Sequence, residues 1–245
     1  AVSGMKRLSE FFDHLSLMPF RWDIQRNDEL SGSGDGAYWT AALAPPLWTA
    51  KVSAMPLRLS EAETLSARVR GVSGPDKIFM FRDPYLCGPS VDPTGALLGD
   101  ASVTISAVND GQIGLAGLPG SAGYTDSAFA LAEWPEDDAA RIGVSLAATG
   151  SYRLSVGDKL EITSAATGKT AFVEVAEDVA AGAAGTTGLF DVFPVLPAYV
   201  AAGDAVTLVR PACPCILVPG SFSAGTTSGN IVSDLSFSIV QKRNV

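Results

Sequence analysis

From Phe20 onward the chain alternates, with Phe20, Trp22 and Ile24 on one side and Arg21, Asp23 and Gln25 on the other. That is the period of a strand with one wet face. Similar short runs recur at GAYWTAALA, LWTAKVSAM, KIFMFRD, ASVTISAV, FALAEW, RIGVSLAA, KLEIT, AFVEVAE, LFDVFP, AVTLVRP and LSFSIVQK. Gly, Pro, Asp or Asn separates most of them, so the pattern predicts many short strands joined by turns and a mainly β protein.

One stretch departs from the two-residue period. In SEAETLSARVRG, Ser60 is placed to cap a first turn, with Glu63 returning a bond to the Ser60 amide. Gly71 follows Arg68 and Arg70 as a stop, so the spacing predicts a helix with two defined ends. KRLSEFF, near the start, reads as a second helix, and PEDDAAR as a single helical turn.

Two other segments share a pattern. LSVGDKLEI (154–162) and VAAGDAVTL (200–208) each open an alternating run with Gly-Asp, at Gly157-Asp158 and Gly203-Asp204. Glycine tolerates positive φ and aspartate bonds to nearby backbone, so each pair is expected to turn the chain sharply into a strand, as a structural corner. Outside this core the two copies do not align over a whole unit, which gives no support to a solenoid or propeller period.

Composition narrows the field. The 245 residues are 47% hydrophobic, ample for a packed core, and carry a net charge of −9 with no basic cluster denser than a Lys-Arg pair near each end. Gripping a phosphate backbone calls for more. No apolar run approaches the length of a membrane span, and AVSGMKRLSEFFDH has no long apolar core of a secretory signal; the expectation is a chain made as a soluble protein without membrane insertion. Three cysteines, Cys87, Cys213 and Cys215, are too few and too unevenly placed for a disulfide framework, which fits a reducing site of synthesis. LPGSAGYTD, at 118–126, reads as a linker, and Ala, Gly and Thr are enriched from there to about 212. The expected division is one domain from 1–120 and 213–245, with 121–212 inserted into it.

Candidate chemistry is thin. TGKT at 167–170 matches the end of a phosphate-binding loop, but Thr163 stands where a glycine is needed and strand-like runs flank it, so a hairpin turn is expected. The one histidine, His14, lies beside Asp13, and GSFSAG misses the spacing of a nucleophile elbow around Ser223. Cys213 and Cys215 would share a strand face, yet a closed metal site needs four ligands, so both are read as small buried hydrophobes. WPEDDAAR sets Glu136, Asp137 and Asp138 beside Trp134 without fixing a carboxylate opposite them. Trp134, Tyr152 and Tyr199 are the aromatic candidates for carbohydrate contact. No catalytic group, cofactor or metal site is assigned, and the expectation is a protein that is not an enzyme.

A longer order of features remains. YWTAALAPPLWTAKVSAMPLRLSEAETLSARVRGVSGPDKIFMFRDPYLCGPSVDPTG runs from a tryptophan-bearing strand through Pro-Pro and a helix to Arg-Gly, an aromatic strand, Asp-Pro and Pro-x-Gly. Later come Leu154 to Ile162, Phe172 to Val175, Pro194 to Leu196 and Ala201 to Pro211. This order, over roughly 20–240, resembles the distal tail proteins and related minor tail components of siphophages and phage-like gene transfer agents. The resemblance implies a structural protein of the virion tail tip, made in the host cytoplasm. Copies would close into a ring, commonly sixfold, joining the tail tube to the hub and receptor-binding proteins, with DNA passing through the lumen without specific binding. It also implies a ring-forming β domain with a helix, and a smaller inserted β-barrel that would hold both Gly-Asp corners. A neighbouring hub component, or a carbohydrate-binding module of the tail, is the alternative.

Overall fold

The computed structural model of the chain describes residues 6–7, 17–32, 38–74, 77–85, 88–120 and 152–243. Its elements in order are β1 (Lys6–Arg7), β2 (Asp23–Gly32), β3 (Tyr38–Ser53), β4 (Leu57–Arg58), α1 (Leu59–Val72) and β5 (Phe79–Arg82). Next come β6 (Val103–Asn109), β7 (Gln112–Ala116), β8 (Arg153–Leu154), β9 (Lys159–Thr163), β10 (Thr170–Val175), β11 (Val179–Ala180), β12 (Phe190–Phe193) and β13 (Ala205–Thr207). The last are β14 (Ala212–Leu217), β15 (Thr226–Ser228), β16 (Ile231–Ser233) and β17 (Ser236–Gln241). The protein is mainly β, and α1 is the one helix among the described residues. Two compact units divide the chain: Ala1–Tyr85 with Ala212–Val245, and Leu86–Pro211.

The first unit is built on a six-stranded sheet in the order β1-β5-β14-β17-β3-β2. Alternation supplies its core: Trp48, Ala50 and Val52 of β3, Phe79 and Phe81 of β5, Cys213 and Cys215 of β14, and Phe237 and Ile239 of β17 are all buried. Phe20 and Trp22, just before β2, stack at the edges of Phe81 and Trp48 with ring centroids 5.4–6.4 Å apart. A second sheet, β15-β16-β4, lies beside α1, which buries Ala62, Leu65, Ser66, Val69 and Val72. Those positions recur every three or four residues, one stripe of a helix.

Two sequence expectations fail here. The helix starts earlier than Ser60, because the Glu61 carboxylate, not that of Glu63, accepts from the backbone N–H of Arg58 at 3.1 Å. Gly71 lies inside the last turn, and the N–H of Ser73 closes the helix on the Arg70 carbonyl at 3.2 Å. Lys6 and Arg7, expected to begin a helix, form β1, parallel to β5 at Phe79 and Met80; the rest of KRLSEFF and PEDDAAR lie outside the described residues.

The second unit is a closed barrel in the order β10-β12-β7-β6-β13-β9. Its interior holds Ile105, Ile113, Leu115, Tyr152, Leu154, Leu160, Ile162, Val173, Val175 and Phe190, none more than 2% exposed. β6 and β7 are barrel strands, so the boundary expected at 121 falls within this unit. Of the linker expected at 118–126 the structure describes 118–120, and there, as at the preceding Gly117, the chain makes close backbone approaches. A side chain at Gly117 would strike the Ser102 carbonyl and one at Gly120 the Ala183 carbonyl, while the N–H of Leu118 donates to Gly185 at 3.0 Å.

Candidate functional site

The two Gly-Asp corners fall in the same barrel, one leading into β9 and one into β13, and their bonds match atom for atom. At the first, Gly157 has φ 97°. Its N–H donates to the Val175 carbonyl at 2.9 Å, and Val175 donates back to the Asp158 carbonyl at 2.8 Å. The Asp158 carboxylate accepts from the N–H of Ser155 at 2.8 Å and of Ser90 at 2.9 Å. At the second, Gly203 has φ 91°. It donates to the Ile105 carbonyl at 2.8 Å, and Ile105 donates to the Asp204 carbonyl at 2.9 Å. The Asp204 carboxylate accepts from Ala201 and Ala165, both at 2.8 Å.

The match extends through the strands. Lys159 faces Glu174 where Ala205 faces Thr104, and Val175 faces Val192 where Ile105 faces Leu115. The barrel is therefore two copies of one arrangement, β9-β10-β12 and β13-β6-β7, related by an approximate two-fold. The copies meet at Ile162 with Val206 and at Phe190 with Ile113. One departure has a covalent cause. Ala165, which fills Asp204, lies forty-six residues before Pro211, the same offset that separates the two corners. Proline has no N–H to give, and Ser90, from the segment entering the barrel, supplies the bond to Asp158 instead.

Both carboxylates are buried, and each satisfies two backbone donors that would otherwise lack partners, a charge-assisted arrangement stronger than a neutral bond. Burial pushes the Asp158 carboxyl above its ordinary value, the N–H bonds from Ser155 and Ser90 oppose the shift, and the nearby Asp178 adds to it. These oxygens fix backbone. Among the described residues no group of three or more His, Cys, Asp and Glu is arranged to hold a metal ion.

Of the three aromatic candidates, Tyr152 and Tyr199 fall among the described residues. Tyr152 is fully buried in the barrel core, which removes it as a carbohydrate contact. The Tyr199 hydroxyl donates to the Thr170 carbonyl at 2.9 Å, its carbonyl accepts from the Ser164 hydroxyl, and Lys169 lies 5.8 Å from its ring centroid. Trp134, Glu136, Asp137, Asp138, His14 and Cys87 lie outside the described residues. TGKT forms the hairpin between β9 and β10, with Gly168 at φ 69° donating to the Ser164 carbonyl at 2.8 Å. Ser223 exchanges backbone bonds with Ser236. Cys213 and Cys215 are buried on β14 opposite Phe81 and Phe79.

A different feature stands out on the first unit. β2 and β3 run together far beyond the core as a two-stranded arm: Asn27 to Gly32 pair with Tyr38 to Ala44, and every residue of β2 from Asp28 onward is exposed. Pro45 and Pro46 set its base. Their missing N–H groups interrupt the ladder locally, and the register shifts around Asn27 before pairing resumes at Gln25 with Leu47. Leu30 and Tyr38 point to one face and Trp39 and Leu43 to the other, each between 65% and 72% exposed. The strand was legible in GAYWTAALA; its exposure was not, although adjacent Tyr38 and Trp39 must occupy opposite faces and so signal a ribbon apolar on both.

No protein-family model matches the chain, and no curated protein matches it.

Proposed function

We propose that the chain is a structural subunit of a siphophage-type tail tip, whose copies assemble into a ring, sixfold symmetry being the commonest in the group it resembles, between the tail tube and the hub with its receptor-binding proteins. It acts by assembly, not by chemistry. The observation that carries this reading is the arm. A two-stranded ribbon is marginal in water by itself, and one with Leu30, Tyr38, Trp39 and Leu43 exposed on its two faces is built to be covered by another chain. The order of motifs along 20–240 supports the tail-tip assignment, and the carboxylates of Asp158 and Asp204, filled by backbone N–H groups, support corners over acidic sites. The net charge of −9 suits a lumen through which DNA passes without adhering.

Electron microscopy of the purified chain, alone and with a tail-tube protein as template, tests the reading. Ring-shaped particles with a wide central hole are expected. Only monomers under both conditions, with light scattering giving a single-chain mass at high concentration, would count against it.

A further inference from the structure

The two-fold of the barrel leaves one segment outside both copies. At the second corner both donors to Asp204 come from within the repeat: Ala201, three residues back, and Ala165, in the hairpin between β9 and β10. At the first corner the hairpin position is Pro211, where the chain leaves the barrel unit, and the second donor is Ser90. Ser90 belongs to 88–100, which leads into β6 where the other copy has only the hairpin leading into β10.

This segment is closed on itself. The Asp92 carboxylate, 2% exposed, accepts from the N–H groups of Leu97 at 3.1 Å and Leu98 at 2.8 Å. The N–H groups of Asp92, Gly95, Gly99 and Ala101 donate to the carbonyls of Pro89, Asp92, Gly95 and Leu98, at 2.9–3.1 Å. Against the barrel, Leu97 and Leu98 pack half-buried on the core, and Gly95 passes close to the Val209 side chain. The Ser90 N–H, at 2.9 Å, and its hydroxyl turn to Asp158.

We infer that 88–100 is a strap with a catch: a preformed turn unit that opens from the barrel in one piece when the Ser90–Asp158 bond lets go, while the six strands stay closed. Three features favour separation at that place. The bonds inside the strap survive its release, so opening costs only its contacts with the barrel. The closed order β10-β12-β7-β6-β13-β9 is complete without 88–100. The catch itself is a buried carboxylate with Asp178 nearby, a group that regains water when the strap leaves. Freed, the segment spans at most about 40 Å, so the catch sets how much slack the chain has on its way into the barrel.

Amide hydrogen exchange of the full chain, resolved by mass spectrometry, tests the strap. In wild type 89–101 should be protected, but less than β9 and β10, and should exchange as one unit. Ser90→Pro removes the N–H of the catch and Asp158→Ala removes its acceptor. Each should speed exchange across 89–101 by about tenfold or more, the loss of a bond to a charged group, and Ser90→Pro should leave β10, β12 and β7 unchanged. Combining the two should open the strap no further than Asp158→Ala alone, because both break one contact. Ala165→Pro is the control: it removes the matching donor at Asp204 and should speed exchange at 164–169 but not at 89–101. Leu97→Ser with Leu98→Ser removes the apolar side of the contact without touching the catch, and should speed exchange over the same 89–101 stretch. The inference is overturned by wild-type exchange in 89–101 at the rate of an unstructured chain, or by protection there that neither Ser90→Pro nor the leucine pair reduces. It is equally overturned if either variant speeds 89–101 and the barrel strands together, since the segment would then be part of the barrel core.

Discussion

Replacing Asp204 by alanine isolates what one corner contributes. The carboxylate accepts from Ala165 and Ala201, each at 2.8 Å, and is 3% exposed. Bonds to a charged group are worth about 1.5–3 kcal/mol each, and a buried donor left unsatisfied costs about 1–3 kcal/mol. Allowing for water entering beside the loop, Asp204→Ala should lose about 3 kcal/mol, which for a unit of this size lowers its melting temperature by roughly 10 °C. Asp204→Asn keeps one acceptor and turns an amide donor toward the other N–H, so it should lose roughly half as much or slightly more. Scanning calorimetry of the full chain, with guanidinium unfolding followed by circular dichroism, measures both. The same scans with EDTA and with millimolar Ca²⁺ should superimpose. A loss under about 0.5 kcal/mol in a folded variant refutes the corner argument. So does a Ca²⁺-dependent rise in melting temperature that Asp204→Ala abolishes, because the oxygens would then be serving a cation.

Asp158 should add a pH dependence of defined sign. Burial raises its carboxyl above the ordinary 3.8, so the folded state binds the proton more tightly than the unfolded chain; that contribution is full below 3.8 and is lost as pH rises through the raised value. Stability measured against pH should therefore give a wild-type minus Asp158→Asn difference that shrinks on going up through this window, and a difference that grows would overturn the assignment. Gly203→Ala and Gly157→Ala place a Cβ in open space at positive φ, so each should lose only about 1–2 kcal/mol of backbone strain in denaturant titrations. Gly117→Ala, whose Cβ would strike the Ser102 carbonyl, should lose about 3 kcal/mol or more in the same titration. Phe81→Ala empties a fully buried site among Phe20, Trp22 and Phe79, and its unfolding free energy should fall by about 3–5 kcal/mol.

Strand content was legible because one wet face imposes a two-residue period: Trp48, Ala50 and Val52 alternate in sequence and are buried in the sheet. Element ends were less so. Ser60 is a good cap by type, yet Arg58 precedes the helix because β4 delivers the chain there, pairing Arg58 with Ile231 of β16, a partner 173 positions away. The boundary at 121 failed for a related reason. Glycines at 117 and 120 look alike in sequence whether they loosen a linker or let two backbones touch, and only the Ser102 and Ala183 carbonyls distinguish the cases.

The internal repeat was hidden by the same economy that makes it work. In each half of the barrel most strand positions need only an apolar side chain of suitable size facing inward, so Val175 can stand where Ile105 does and Phe190 can face Ile113 across the two-fold. Connections drift further: 194–200 links β12 to the second corner, whereas 117–154 lies between β7 and the first. The corners have no such latitude. A sharp turn at φ 97° or 91° favours glycine, and a short acidic side chain is needed to reach a backbone N–H three residues back while holding a second loop. Gly-Asp is thus what remains recognisable of a duplicated architecture, and the resemblance between 154–162 and 200–208 is short because two adjacent residues carry the whole geometric demand.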